Sequence, residues 1–148
     1  MQLRSYRQSD LETLYRIDQA CFPPGVSYLR SELAAFIRHR SSATWIAEEN
    51  QEIIGFLIAD RDGRGAAHIV TIDVAEVWRR HGIGKALMDA AEAWARRDGL
   101  RLIRLETAQS NLAAQAFYQA RGYLKVGTIG GYYANGETAW VMVKSLSG

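Results

Sequence analysis

Cysteine, proline and net charge are all scarce in this 148-residue chain, and each shortage closes a class of explanation. Cys21 is the single cysteine, so no internal disulfide can form. It shows no metal-ligand spacing with the three histidines, His39, His68 and His81, and no metal is expected. The two prolines are neighbours, Pro23 and Pro24, and no linker, internal repeat or low-complexity tract interrupts the chain. One domain spanning 1–148 is expected. Lys and Arg total 18 against 16 Asp and Glu, a formal charge of +2. That field is too small for a dedicated nucleic-acid coat or a polybasic membrane anchor, so any anion site must be local. No window approaches the roughly 18 consecutive apolar residues that cross a bilayer, and no basic N-terminal region leads into an apolar run. The expectation is no membrane partner and a reducing cytoplasm.

What remains, with 48% hydrophobic and 23% charged residues, is ordinary for a packed α/β protein. Gln2 to Tyr6 alternates as a first strand, and Leu11, Leu14, Tyr15 and Ile17 space a helix from about Asp10 to Ala20. Phe22-Pro23-Pro24-Gly25 breaks it, and Ser27 reads as the N-cap of a second helix through Leu29, Leu33, Phe36 and Ile37. Ala43 to Glu48 and Glu52 to Asp60 form a hairpin around Asn50-Gln51. His68 to Val74 is a β-branched run fit for mid-sheet, and Gly82 to Asp98 carries helical spacing with Gly99 as its stop. Leu102 to Glu106 is the next strand. A helix capped by Asn111 and ending near Gly122 follows, then strands around Tyr123 to Ile129 and Thr138 to Leu146. Strand, helix, strand in so short a span implies a right-handed crossover with the two strands parallel.

Ligands of open α/β sheets gather at the carboxyl ends of parallel strands, which places the segment after Val74 and the residue Glu106 on one crevice. There stands Arg79-Arg80-His81-Gly82-Ile83-Gly84-Lys85, two glycines and three strong bases at the start of a helix whose free amides and dipole favour phosphate. It is not a P-loop, because one residue separates Gly82 from Gly84 and Ala86 follows Lys85. It is not a dinucleotide fingerprint either, because Leu87 stands where Gly or Ala is needed.

Arg-x-x-Gly-x-Gly at Arg79 to Gly84 resembles the acetyl-coenzyme A motif of the GNAT N-acetyltransferase superfamily. Leu105-Glu106-Thr107, Asn111-x-x-Ala114-x-x-Phe117-Tyr118, and Tyr132-Tyr133 with Glu137-Thr138-Ala139 are most similar to the RimI branch, which acetylates protein N-termini. The resemblance implies a mixed, mostly antiparallel sheet of about seven strands with a parallel crossover and about four helices. It implies acetyl-CoA as co-substrate. Ile72, Asp73 and Val74 would bind its pantetheine arm, with the Val74 amide on the thioester carbonyl. Arg79, Arg80, His81, Gly82, Ile83, Gly84 and Lys85 would hold the pyrophosphate, with Asn111, Ala114, Phe117 and Tyr118 along the arm. Glu106 would be the base, through water, and Tyr118 the acid for the departing thiolate. Phe22 and Tyr28, with Tyr132 and Tyr133, would shape the acceptor pocket. The acceptor stays open between a peptide α-amine and a small amine, because Phe22-Pro23-Pro24-Gly25 departs from the Pro-Trp-Ser-like sequence common in the RimI branch. A non-catalytic CoA- or RNA-binding module using Arg79, Arg80, Arg96, Arg97 and Arg101 is the third reading, and monomer or homodimer is equally open.

Overall fold

The computed structural model describes residues 1–146. In chain order the elements are β1 (Gln2–Ser5), α1 (Leu11–Cys21), α2 (Arg30–Arg38), β2 (Ser42–Glu49), β3 (Glu52–Arg61), β4 (Ala66–Val74), α3 (Ile83–Arg97), β5 (Leu102–Ala108), α4 (Leu112–Ala120), β6 (Leu124–Ile129) and β7 (Ala139–Ser145). Seven strands form one sheet in the order β1-β2-β3-β4-β5-β7-β6, antiparallel throughout except for the parallel pair β4 and β5. This is the mixed α/β arrangement that the sequence implies.

Helices cover both faces. On one, α3 and α4 bury Leu87, Met88 and Tyr118 against Leu57, Ile69, Ile103 and Leu105. On the other, α1 and α2 bury Leu14 and Leu33 against Ile46, Phe56 and Ile58. Each such side chain contributes roughly 1.5–3 kcal/mol on leaving water, so both faces are firmly anchored. The element ends move by a residue or two from the sequence reading, with one change of cause. Ser27 does not cap α2: its amide is taken by the Pro23 carbonyl in the turn, and the helix starts after Leu29, whose amide donates to the Glu32 carboxylate at 2.8 Å.

The site is created by a failure of pairing. β4 and β5 are matched only from Ala66–His68 to Leu102–Arg104, although β5 continues to Ala108. On the other side of β4 the register jumps from Ala59↔Ile69 to Ile58↔Thr71, leaving Val70 as a bulged residue. A bulge bends its strand and increases the local twist. The carboxyl halves of β4 and β5 therefore stand apart, and the gap between them is a cleft.

Candidate active site

The free edge of β4 can be read from its ladder. The Ala75 amide donates to the Ile54 carbonyl of β3 at 2.9 Å. Antiparallel ladders alternate, so the Asp73 amide also faces β3, while the amides of Ile72 and Val74 face away from it into the cleft. The Val74 carbonyl points the same way and accepts Cys21 Sγ at 3.4 Å and Arg79 Nε at 3.3 Å. Asp73 is therefore corrected as a cofactor residue: its amide faces β3, and its side chain is buried toward Asp18 of α1 and stays outside the cleft wall.

Beyond Val74 the chain makes a short 3₁₀ turn and enters α3 through Gly82, whose φ of 79° is open to glycine at no steric cost. No side chain caps α3, and among the described residues no protein acceptor is recorded for the amides of Ile83, Gly84 and Lys85. Gly84 lets two helices meet, since a Cβ there would stand 3.3 Å from Phe117 Cζ. Of the three bases, only Arg80 has no side-chain partner among the described residues. Arg79 turns toward Val74 and Cys21, and Lys85 Nζ lies 3.0 Å from Asp89 one turn along. His81 is exposed with its ring edge on Trp78, outside the cleft wall, so the structure does not bring it to the site.

The cleft holds about 520 Å³, a size usual for small-molecule sites, and reaches from this amide nest to a second wall of side chains. Asn111 caps α4 by accepting the Ala114 amide at 3.1 Å, and it lines the cleft together with Ala114, Phe117 and Tyr118. The Tyr118 side chain is 7% exposed, and its hydroxyl makes no hydrogen bond within the described residues. Burial pushes its pKa up, and the Asp73 carboxyl pushes it the same way. It is a protonated phenol with its one hydrogen uncommitted.

Glu106 lines the same cleft from β5. Its Oε1 accepts His68 Nε2 at 2.6 Å and the Tyr132 hydroxyl at 3.1 Å, and its Oε2 accepts Arg104 Nη1 at 2.8 Å. Burial pushes the carboxyl up. The hydrogen bond and charge of His68, then Arg104 and Tyr132, more than offset that and hold it below its usual value. Arg104 stands two places before Glu106 on β5 and so shares its face. His68 stands on β4 opposite Arg104 in the parallel register, which is the signal that could have found it.

The roof joins two loops. The Ala134 amide donates to the Gly25 carbonyl at 3.0 Å, and a Cβ on Gly25 would lie 2.6 Å from Asn135 Cβ, so only glycine permits the approach. This brings Phe22 and Tyr28 to the same mouth as Tyr132 and Tyr133, whose rings meet edge to face at 4.9 Å. Cys21 borders the cleft, but burial raises its thiol to about 11, which leaves it a poor nucleophile at neutral pH. Among the described residues no group of three metal-ligating side chains occurs and no helix is long and apolar enough to cross a membrane.

Residues 11–123 match the family model described as Acetyltransferase (GNAT) family. An N-alpha-acetyltransferase of Saccharolobus solfataricus is 27% identical, covering 97% of this chain and 92% of its own length. The N-alpha-acetyltransferase daf-31 of Caenorhabditis elegans is also 27% identical, over 99% of this chain and 84% of its own. Among solved structures, Ard1 from Thermoplasma volcanium superposes with a TM-score of 0.89 at 26% identity, covering 99% and 98% of the two chains. The ribosomal-protein-S18-alanine N-acetyltransferase from Escherichia coli gives 0.87 at 23% identity, over 99% and 94%, a likeness of fold.

Proposed function

The chain belongs to the GNAT acetyltransferase family, and from that premise we propose that it moves the acetyl group of acetyl-CoA onto the N-terminal α-amine of a peptide or protein. The observation that carries the reading is the cleft itself: free strand and helix amides on one wall, and a triply hydrogen-bonded carboxylate and an uncommitted phenol on the other. Full-length relatives named N-alpha-acetyltransferase support the α-amine over a small amine as acceptor. We place the enzyme in the cytoplasm, in keeping with its lone half-buried cysteine.

The residues fit the co-substrate. The amides of Ile83 to Lys85, with Arg80, would hold its diphosphate at the positive end of α3. The Ile72 and Val74 amides would hold the arm and the thioester carbonyl, where a donor aimed at developing charge is worth most. Acetyl-CoA brings an acyl carbon already activated as a thioester, so the protein's task is to move protons and exclude water. A peptide α-amine has a pKa of about 7.7–8.0 and must lose a proton before it can attack. Glu106 supplies the negative charge that draws the ammonium in. With three donors on its two oxygens and a lowered pKa, it is a weak direct base and acts through a bridging water. His68 does not line the cleft and serves as a positioning residue for Glu106. Tyr118 gives its proton to the sulfur as the thiol departs, and Tyr28, Tyr132 and Tyr133 enclose the first residue of the acceptor.

The test is a transfer assay that follows thiol release over a panel of N-terminal peptides and free small amines. Turnover on peptides, with the label on the α-nitrogen, supports the reading. Turnover confined to small amines replaces the acceptor, and no turnover with either sinks it.

A further inference from the structure

Two buried acids take no part in the chemistry above. Asp18 on α1 is fully buried and Asp73 on β4 is 1% exposed. Asp18 Oδ2 accepts the Tyr28 amide at 2.7 Å, and Asp73 Oδ1 accepts the Thr71 hydroxyl at 2.5 Å. Each carboxyl then keeps one oxygen without a partner, Oδ1 of Asp18 and Oδ2 of Asp73, and the two side chains are hydrogen-bonding neighbours. Ionised carboxylates only accept hydrogen bonds, so two of them side by side repel and leave both oxygens orphaned. A single proton between them removes the repulsion and satisfies both.

We propose that Asp18 and Asp73 share one proton at neutral pH, and that this acid pair is a positioning device fastening the acceptor wall to the strand whose amides face the thioester. The positioning half rests on the transferase reading; the shared proton does not. Tyr28 is pinned at both ends, by its amide to Asp18 and by its hydroxyl to the Val70 carbonyl at the bulge, 3.1 Å away. Gln19 Nε2 also holds the Tyr28 carbonyl at 2.9 Å. Asp73 sits between Ile72 and Val74, the two residues whose amides face the cleft. The acid pair thus lies where the acceptor loop and the bent half of β4 are tied together.

The surroundings offer little to neutralise a second negative charge. Facing the pair are Glu32 from α2, the Cys21 thiol at the end of α1, the Tyr28 and Tyr118 phenols, and Arg79 from the loop before α3. Arg79 is the one cation in that set, and it is exposed, with its guanidinium on Val74 and Cys21. Burial pushes both carboxyls above their usual range, Asp73 well above it. An acid with a raised folded-state pKa destabilises the native contact as pH rises toward that value, so the clasp loosens on the alkaline side.

Infrared spectroscopy of the folded chain at neutral pH should show the carbonyl band of a protonated carboxylic acid, and Asp18→Asn and Asp73→Asn should each abolish it. Either amide supplies a permanent hydrogen to the partner oxygen and leaves the remaining acid ionised. In kinetics, Asp18→Ala should raise the peptide KM about tenfold by releasing Tyr28, with the acetyl-CoA KM unchanged. Asp18→Asn should restore the peptide KM and flatten its alkaline rise. A band that is absent from the native chain, or that survives either Asn variant, overturns the shared proton. Equal effects of Asp18→Ala on both KM values, or no rescue by Asn, overturn the positioning role. If the Ala variant does not fold, the spectrum and the Asn pH profile still decide. Failure of the native chain to bind acetyl-CoA would defeat the transferase reading, while the infrared result still judges the proton.

Discussion

The two walls of the cleft are built in opposite ways. The cofactor wall is one contiguous stretch of chain, Ile72 through Lys85, and most of its donors are backbone amides. The acceptor wall is assembled from side chains that lie far apart in sequence, Tyr28, Glu106, Tyr118 and Tyr132, with His68 behind Glu106. A backbone nest is insensitive to most side-chain changes but intolerant of bulk. A side-chain constellation can be dismantled one group at a time, with graded losses.

The largest effect should come from bulk in the nest. Gly84→Trp drives a side chain into Phe117 and the mouth of the loop, and acetyl-CoA binding measured by calorimetry should fall more than about 100-fold while the melting temperature changes far less. Retained affinity would mean that the amide nest is not where the coenzyme is held. Next is Glu106→Gln, expected to lower kcat about 100-fold with acetyl-CoA affinity nearly intact. Because Glu106 is held below its usual value, it stays ionised throughout the neutral range, and its contribution to stability is lost only as pH falls through that lowered value. The fall of rate below about pH 8 should therefore follow the amine and survive in Glu106→Gln. A limb that vanishes in the variant would show that Glu106 itself titrates there.

Tyr118→Phe should cost about tenfold in kcat, less than Glu106→Gln, because a thiol with a pKa of about 8.5 leaves readily without help from an acid. An unchanged rate would return Tyr118 to packing against Phe117 and Tyr123. The smallest effect belongs to Tyr132→Phe, which removes one of three donors to Glu106 at an exposed position. The peptide KM should rise about two- to threefold with kcat nearly constant, in line with a neutral hydrogen bond of about 0.5–1.5 kcal/mol that is partly replaced by water.

The same contrast explains what could be read from the sequence. Arg79 to Lys85 was legible because a glycine-bearing helix start is local, and its spacing alone separates it from other phosphate loops. The α3 periodicity and the β4–α3–β5 crossover were legible for the same reason, and they fix which strand ends share the crevice. His68 was not legible, since its partner lies 38 residues away and only the parallel register brings them together. Asp73 was misassigned because the register of β4 against β3, shifted by the bulge at Val70, decides which amides face the cleft, and that register has no sequence mark. Arg79 and Lys85 read as phosphate ligands from their charge beside the two glycines and the helix start, and both line the cleft, but their contacts to the Val74 carbonyl and Asp89 were not legible.

Backbone amide shifts of the isotopically labelled chain during titration with acetyl-CoA test the cofactor wall most directly. The account predicts saturable shifts at Ile72, Val74 and Gly82 to Lys85, with Asp73 moving less because its amide is held by β3. Shifts clustered elsewhere, or none as the ligand reaches millimolar concentration, would contradict it.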